Sequence, residues 1–217
     1  MKCYVNISLM SLNATPILKN TLNDSLFEDI LKNGWCLLKA NSMAVDLENE
    51  LKNIQLMPAS IHEKKVSPSQ TIDFSKEIRN DFVSWIDIQS CVSAEINWLS
   101  YLSQISQELS HFFRISLNSV ETHYAFYPIG HFYHRHSDQK KVKNQRFFSL
   151  VLYLNHQWQE SDGGHLVGYR NQEIIFKIKP TFADIILFKS DIEHEVLMSH
   201  RDRFSVAAWF RTESFLS

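Results

Sequence analysis

The chain has 217 residues, of which 44% are hydrophobic, and its 22 basic and 24 acidic side chains give a formal net charge of −2. This length and composition predict one folded domain rather than a disordered chain. The balanced charge argues against a protein that follows the phosphate backbone of nucleic acid. The five glycines form neither a G-x-G-x-x-G motif nor a Walker loop, which excludes both phosphate-binding motifs.

The amino-terminal part contains two helical patterns with a short apolar run between them. A helix is predicted over residues 24–33, with Gly34 placed to end it. The apolar run covers residues 35–38. For the second helical pattern, which follows, Ser42 is the candidate N-cap.

Residues 57–81 form a long polar connection that contains two prolines. Connections of this length are uncommon in compact domains unless they are functional or disordered, and both interpretations stay open. A strand is predicted next, over residues 82–87. The longest helical pattern then begins at Ser93. Its apolar positions are Ile96, Leu99, Leu102, Leu109, Phe112 and Phe113.

From Ser119 onward the pattern is that of β-strands. Seven runs rich in Val, Ile, Phe and Tyr follow one another: 120–127, 146–155, 164–169, 173–179, 183–189, 194–198 and 203–211. Short strands at this spacing predict an antiparallel barrel or sandwich. We therefore predict an α+β fold with one domain over 1–217. Its core would be a double-stranded β-helix (jelly roll) barrel at about 119–211, supported by helices and a mobile loop within about 1–118.

Two of the ten histidines belong to H-x-D pairs, His136/Asp138 and His200/Asp202. Alternate residues of a strand point to the same face, so each pair could direct two side chains at one metal ion. A single H-x-D pair is weak evidence in a histidine-rich chain, because a solvated strand edge is its commoner explanation.

The first pair is followed by a further histidine, His194, which stands 56 residues beyond Asp138; no histidine follows His200. Two histidines and one carboxylate on one side of a metal leave other coordination positions open, as in the facial triad of non-haem Fe(II) oxygenases. Nine residues after His194 stands Arg203, whose planar guanidinium suits a carboxylate next to the metal. The sequence therefore predicts a metal centre at His136, Asp138 and His194, with Arg203 beside it.

A longer set of motifs surrounds these residues. It comprises Tyr127-Pro-Ile-Gly-His-Phe-Tyr133-His-Arg-His136-Ser-Asp138, Arg146, Tyr153-Leu-Asn155-x-x-Trp158, Gly163-Gly164-His-Leu166, Phe188, His194-Glu-Val196, Arg203 and Trp209. This set resembles the 2-oxoglutarate-dependent prolyl hydroxylases. Upstream, Ile78-Arg79-Asn80-Asp81 and Ser84-Trp85-Ile86 are similar to the oxygen-sensing prolyl hydroxylases that act on hypoxia-inducible factor, and to their bacterial relatives. The resemblance is strong over about 120–211 and moderate over 78–119.

The resemblance implies a role for each matching position. His136, Asp138 and His194 would bind Fe(II), and Arg203 would bind the distal carboxylate of 2-oxoglutarate with the Tyr153 hydroxyl as a second donor. The residues that would contact the substrate are Tyr127, Tyr133, Arg146, Trp209, Arg79 and Asp81. In the family, the loop before the residue corresponding to Arg79 closes over a protein substrate.

Other expectations concern single residues near these motifs. The family's loop makes residues 57–81 a candidate lid. Ala207 stands where the oxygen-sensing enzymes have a hydroxyl residue that contacts metal-bound water. The Gly163-Gly164 pair is expected to form a tight turn between strands. Trp85 and Trp158 are expected in the core.

The activity implied is that of an oxidoreductase, a dioxygenase that uses Fe(II), 2-oxoglutarate and O₂ to hydroxylate a proline in a protein or peptide, with ascorbate as a candidate reductant. A nucleic-acid demethylase, a small-molecule or peptide hydroxylase and a non-catalytic jelly-roll binding module stay open as alternatives. Residue 209 is tryptophan, however, where the demethylases carry a second arginine that binds the cofactor. The intact triad argues against a module that has lost its chemistry.

The composition also predicts which partners the protein does not bind and the cellular compartment in which it lies. Neither nucleic acid nor a membrane is expected as a partner, because the chain is not basic and has no run of 18 apolar residues. Cys3, Cys36 and Cys91 are odd in number and far apart, so we expect packing cysteines in a reduced, cytoplasmic protein.

Overall fold

The computed structural model describes residues 5–6, 22–55, 66–68, 81–87, 89–90, 92–139 and 146–212. These ranges contain three helices: α1 (Asp24–Asn33), α2 (Asn41–Gln55) and α3 (Ser93–Phe113). The strands of the first half are β1 (Val5–Asn6), β2 (Trp35–Lys39), β3 (Val66–Pro68) and β4 (Phe82–Trp85). Those of the second half are β5 (Ser119–Tyr127), β6 (Tyr133–His136), β7 (Arg146–Tyr153), β8 (Leu166–Arg170), β9 (Glu173–Ile178), β10 (Asp184–Lys189), β11 (Glu193–Val196) and β12 (Arg203–Arg211).

The strands form two antiparallel sheets. The large sheet has the order β2-β10-β7-β12-β5-β4-β3, with β1 also paired to β5, and the small sheet has the order β6-β11-β8-β9. In the small sheet β11 pairs with β6 and β8, which are both distant from it in sequence, whereas β8 and β9 form a hairpin. The predicted α+β double-stranded β-helix is therefore the observed architecture.

All seven predicted strand runs are strands, each within two residues of its predicted bounds. The structure adds β6 between the first and second of these runs and shows that the apolar run at 35–38 belongs to an edge strand, β2, paired with β10. Residues 66–68 form β3, so the expectation of a structureless connection over 57–81 is wrong at that point. Within 57–81, Asp81 is also described; the other residues, including Arg79, lie outside the described ranges, and the lid stays untested.

Local capping chemistry sets the helix ends. The Asn23 side chain accepts a hydrogen bond from the Leu26 N–H at 3.1 Å, and Gly34 ends α1 at φ 87°, as predicted. The prediction of Ser42 as N-cap is wrong, because α2 begins one residue earlier, directly after β2. Its first turn closes from the Ala44 N–H to the Ala40 carbonyl at 2.9 Å. No helix of the described part is long and apolar enough to cross a membrane.

The main hydrophobic core lies between the helices and one face of the large sheet. On α3 the buried positions include Trp98, Leu102, Ile105 and Leu109, and they pack in one cluster with buried residues of β5, β7, β10 and β12. The predicted helical face was wrong at two positions. Ile96 is exposed because it lies on the side away from this cluster, and Phe112 is partly exposed while it stacks on Phe27 of α1.

Two further expectations concern core residues. Cys36 is buried, and burial raises the pKa of its thiol to about 12, so it stays protonated and acts as a packing residue. Cys3 and Cys91 lie outside the described residues. Trp158 is buried as predicted, and its indole N–H donates to the Gly163 carbonyl at 3.0 Å.

This packing predicts unequal costs for two Leu-to-Ala substitutions. Leu109 is fully buried on α3, whereas Leu31 is 55% exposed on α1. Leu109→Ala should lower the free energy of unfolding by about 2–5 kcal/mol, since it leaves a cavity in the core. Leu31→Ala should change it by about 0.5 kcal/mol or less. Urea denaturation of both variants measures the difference, and equal losses would contradict the assignment of the core.

Candidate metal centre and active site

The predicted metal ligands come together where β6 pairs with β11. His136 lies directly opposite His194 in this pairing, and Asp138 follows two residues beyond His136. The Nε2 atom of His194 is 3.5 Å from Asp138 Oδ2, and that of His136 is 3.8 Å from Asp138 Oδ1. One ligand atom from each residue lies within 4.8 Å of the others, which is close enough for one metal ion to reach all three. Among the described residues, no other such group is found.

Backbone hydrogen bonds orient both imidazoles. His136 Nδ1 lies 2.7 Å from the His134 carbonyl, and His194 Nδ1 lies 2.9 Å from the Ile192 carbonyl. A carbonyl can only accept, so Nδ1 carries a proton in each ring, and Nε2 is the nitrogen left to bind a metal ion. Both Nε2 atoms face Asp138. This arrangement fixes the tautomer and direction that a metal ligand needs.

A chain of hydroxyl groups holds Asp138. The Ser149 hydroxyl donates to Asp138 Oδ2 at 2.7 Å, and Ser190 lies 2.8 Å from Ser149. Ser149 has one proton and gives it to the carboxylate, so Ser190 donates to Ser149. Both serines are buried. The two serines therefore restrain the carboxylate that the two imidazoles face.

The environment keeps Asp138 ionised. Burial alone would raise the pKa of this carboxyl group, but its attraction to His194, His136 and Arg146 outweighs burial and lowers the pKa below its ordinary value. A carboxylate in this state can coordinate a divalent cation without first losing a proton.

Arg203 is fully buried on β12, facing the interior, although arginine is usually a surface residue. Its Nε–H donates to the Gly164 carbonyl at 2.9 Å, and its Nη1 contacts the Ser205 hydroxyl at 3.3 Å. No described carboxylate lies within ion-pair distance of it. A buried guanidinium in this situation favours an anionic ligand.

The glycine pair makes room for Arg203. Gly164 has φ +63°, and a Cβ atom there would lie 3.0 Å from the Arg203 Cδ. At Gly163, with φ +66°, a Cβ atom would lie 2.4 Å from the Met198 carbonyl oxygen. The expected tight turn between strands is wrong, because both glycines lie at the end of a short 3-10 helix, Glu160–Asp162, within the long connection from β7 to β8. Gly164 lets the Arg203 stem pass close to the backbone.

Tyr153 and Tyr127 lie next to the Arg203 guanidinium. The Arg203 Cζ is 5.2 Å from the centre of the Tyr153 ring and 4.9 Å from that of Tyr127. The Tyr153 hydroxyl is buried beside this guanidinium, and its proton has no acceptor within the described part of the chain. Burial raises the pKa of this phenol, so it stays protonated and can donate. Tyr127 lies opposite Arg203 in the β5–β12 register and is itself buried.

On the other side of the metal centre, Arg146 contacts two carboxylates. Its Nε and Nη2 donate to Glu121 Oε2 at 3.0 and 2.5 Å, and its Nη1 lies 3.7 Å from Asp138 Oδ1. The Arg146 Cζ is 4.0 Å from the centre of the Trp209 ring. Arg146 and Trp209, both predicted as substrate contacts, are therefore in contact with each other and adjacent to the metal centre.

Aromatic side chains surround this region. The Tyr133 ring stacks on His136, with ring centres 3.6 Å apart. Trp85, His123 and Trp209 form a second group, which we call the aromatic rim; their ring centres lie 4.9 to 6.4 Å apart. The expectation that Trp85 is a core residue is wrong. It is 38% exposed because it ends β4, one residue beyond the last pairing with β3.

The second H-x-D pair is not part of the site. His200 and Arg201 are exposed, and Asp202 Oδ1 accepts a hydrogen bond from the Ile129 N–H at 3.3 Å. The Arg201 guanidinium lies over the Trp158 ring. Asp202 thus holds a loop just before β12, and this exposed pair has a structural role.

The sequence reasoning missed four residues around the centre: Glu121, His123, Ser149 and Ser190. Three of them occupy inward positions of strands that were predicted correctly, and all are buried. A signal was present, since Glu121 and His123 are polar residues two apart in a strand of otherwise mostly apolar and aromatic composition. The alternation of a strand places both on one face.

The residues present suit the metal and cofactor that the resemblance implies. Two imidazole nitrogens and one carboxylate, with coordination positions left open, are the donor set of non-haem Fe(II) sites. Arg203, which lacks a described carboxylate partner, and the Tyr153 hydroxyl together offer positive charge and a hydrogen-bond donor to a carboxylate. A dicarboxylic keto acid such as 2-oxoglutarate has one carboxylate to spare for them when its other end binds the metal.

The sequence is similar to an oxygenase superfamily and to a curated prolyl hydroxylase. The model of the 2OG-Fe(II) oxygenase superfamily matches residues 122–211, a range that includes the three candidate ligands and Arg203. A hypoxia-inducible factor prolyl hydroxylase of Caenorhabditis elegans is 28% identical over 149 residues, which are 64% of this chain and 20% of that relative. The chain thus spans about a fifth of the length of this curated relative.

Solved structures show the same similarity. A prolyl-4-hydroxylase of Pseudomonas putida superimposes with a TM-score of 0.76 at 27% identity, covering 88% of this chain and 98% of that one. A prolyl hydroxylase of Trichoplax adhaerens, in complex with a hypoxia-inducible factor peptide fragment, has a TM-score of 0.70 at 24% identity and supports the fold, covering 86% of this chain and 87% of that one. These matches confirm the resemblance seen in the sequence: residues 122–211 match the 2OG-Fe(II) oxygenase superfamily, and the chain is similar to prolyl hydroxylases in sequence and structure.

Proposed function

We propose that the protein uses Fe(II), 2-oxoglutarate and O₂ to hydroxylate a proline residue in a protein or peptide substrate. The similarity to the Pseudomonas putida prolyl-4-hydroxylase, which covers 98% of that chain, supports this activity. The observation that carries the proposal is the pairing of an oriented His136/Asp138/His194 group with a buried Arg203 that has no described carboxylate partner. A metal chelator with a second, remote carboxylate would satisfy both.

In this proposal each residue has a distinct task. His136, Asp138 and His194 hold Fe(II) through atoms that are already oriented by their own hydrogen bonds. Arg203 and Tyr153 bind the remote carboxylate of 2-oxoglutarate and thereby set the position of its keto acid end. Fe(II), when bound, supplies the redox chemistry with O₂ that the side chains cannot perform. Burial of the site excludes water, which strengthens each of these charge-assisted contacts.

The substrate proline would enter beside the aromatic rim. Trp209 and Tyr133 border the metal centre, and Trp85 extends the rim to the surface. Aromatic faces suit the apolar proline ring. We propose Tyr127 and Arg146 as further contributors to this region, and Asp81, which is buried at the start of β4, as a support for it. The corresponding proposal for Arg79 lies outside the described residues.

The proposal also includes a reductant and a cellular compartment. Ascorbate is the reductant that we would supply to keep the iron in the Fe(II) state. A reduced, cytoplasmic environment suits the buried and protonated Cys36.

The first test is chemical. Anaerobic protein should bind one Fe(II), and on admission of O₂ it should convert 2-oxoglutarate to succinate. Asp138→Ala should abolish both metal binding and turnover while the melting temperature shows a folded protein, because one of three ligands is lost. Asp202→Ala, the matched change in the second H-x-D pair, should retain turnover. Undiminished turnover in Asp138→Ala would refute the metal centre.

The second test concerns Arg203. Loss of one partner of a buried charge pair costs about 2–5 kcal/mol, which corresponds to about 30-fold or more in Kd. Arg203→Ala should therefore weaken 2-oxoglutarate binding by about 30-fold or more, measured by calorimetry on the Mn(II)-loaded protein. Arg201→Ala removes an exposed arginine two residues away and serves as the control. An unchanged Kd for 2-oxoglutarate in Arg203→Ala would count against its role.

The third test identifies the substrate. Lysate proteins incubated with active protein, Fe(II) and 2-oxoglutarate should gain one oxygen atom at particular prolines, as read by peptide mass spectrometry. The Asp138→Ala variant provides the inactive control in the same lysate. Succinate formation without any new hydroxyproline would favour a substrate of another class, such as a small molecule.

A further inference from the structure

Glu121 is a buried carboxylate between two arginines in the interior of the sheet. Only 3% of its surface is exposed. Its Oε2 accepts two hydrogen bonds from Arg146, at 3.0 and 2.5 Å, and its Oε1 accepts one from Arg211 Nη1 at 2.8 Å. A carboxylate with donors on both oxygens and little exposure is strongly held. We call this group, Arg146, Glu121 and Arg211, the arginine clamp.

Arg146 is the member of the arginine clamp that lies next to Asp138 of the candidate metal centre. This guanidinium presents one edge, Nε and Nη2, to Glu121, and its third nitrogen, Nη1, lies 3.7 Å from Asp138 Oδ1. That separation allows electrostatic attraction but exceeds a hydrogen bond. The other oxygen of Asp138 already accepts a hydrogen bond from Ser149. Of the described arginines, only Arg146 lies within ion-pair distance of Oδ1.

We propose that Glu121 is a positioning residue that withholds Arg146 from Asp138 and so keeps Asp138 available to a metal ion. The inference rests on the proposed function, since it concerns the same metal site. Without the Glu121 charge, the nearest described carboxylate for Arg146 is Asp138. The guanidinium would close the 3.7 Å gap and donate to Oδ1, so that donors would occupy both oxygens of the carboxylate. A metal ion would then have to displace Arg146.

The stacking of Arg146 on Trp209 defines the position in which it is held. With its Cζ 4.0 Å above the indole ring, the guanidinium is supported on one face while Glu121 holds one edge. A closer approach to Asp138 would require it to give up its bonds to Glu121. The carboxylate of Glu121 is therefore the part of the clamp that decides where the Arg146 charge lies.

A simpler role for Glu121 is to stabilise the fold, because removing one member of a buried ionic group usually costs stability. The two roles differ in a measurable way. If Glu121 only stabilises the fold, removal of Arg146 as well would not restore a lost property of the metal site. If Glu121 restrains Arg146, the metal affinity lost with Glu121 returns when Arg146 is also removed.

The experiment measures Mn(II) binding to the metal-free full-length protein by electron paramagnetic resonance, with no turnover required. Glu121→Gln keeps the shape but removes the charge, and should weaken Mn(II) binding by about tenfold or more, as for other groups that orient metal ligands. The double variant Glu121→Gln/Arg146→Gln should return the Kd to within about threefold of the wild type, a coupling that the double-mutant cycle isolates. Arg211→Gln breaks the other arm of the clamp and should leave the Mn(II) affinity unchanged.

The outcomes are distinguishable. An unchanged Mn(II) affinity in Glu121→Gln, or a loss that the double variant does not reverse, overturns the role of Glu121 while the wild-type metal site stands. Failure of the wild type to bind Mn(II) overturns the proposed function itself. If Glu121→Gln does not fold, Glu121→Asp, which retracts the carboxylate by one methylene, should show a smaller loss in the same direction, and no loss there overturns the proposal.

Discussion

The antiparallel pairing of β6 with β11 is the constraint on which the site depends. It places His136 opposite His194 and brings Asp138 between them. Because successive side chains of a strand alternate between faces, a slip of one residue would turn one imidazole out of the site. The hydrogen bonds from both Nδ1 atoms to nearby carbonyls add a second restraint, on ring rotation. The positions of the candidate metal ligands are therefore set by backbone structure rather than left to flexible side chains.

The two faces of the large sheet have different roles: one packs in the hydrophobic core and the other carries the polar residues of the candidate site. One face is apolar and packs under the helices, where Leu150, Leu152 and Phe210 are fully buried. The other face carries the charged and hydroxyl groups of the site, including Arg203 and Ser149. Alternation along each strand makes this division possible in one layer. The helices thus supply the hydrophobic burial that allows the opposite face to hold polar groups, which cost stability when they are buried.

The sequence was sufficient to predict what is encoded by spacing along the chain. The strand runs and the α1 end at Gly34 depend on nearby residues, and the H-x-D pair at His136 is specific once the later histidine and arginine are added. The partners of those residues could not be predicted in this way. Glu121 contacts Arg146 because β5 and β7 both pair with β12, and Ser149 reaches Asp138 across sheets. Such contacts follow from register and the approach of two sheets, which no local pattern reveals.

The distribution of buried charge explains why a metal and a dicarboxylate suit this interior together. Asp138 and Glu121 are two negative charges, and Arg146 and Arg211 beside them are two positive charges. Fe(II) and 2-oxoglutarate carry opposite charges of equal size, so their joint entry adds no net charge to a region where an unpaired charge is costly. Arg203 lies apart from this balanced group, with no carboxylate partner in the part of the chain that the structure describes. In the proposed function, Arg203 would pair with one carboxylate of 2-oxoglutarate while the other end of that molecule binds the metal ion.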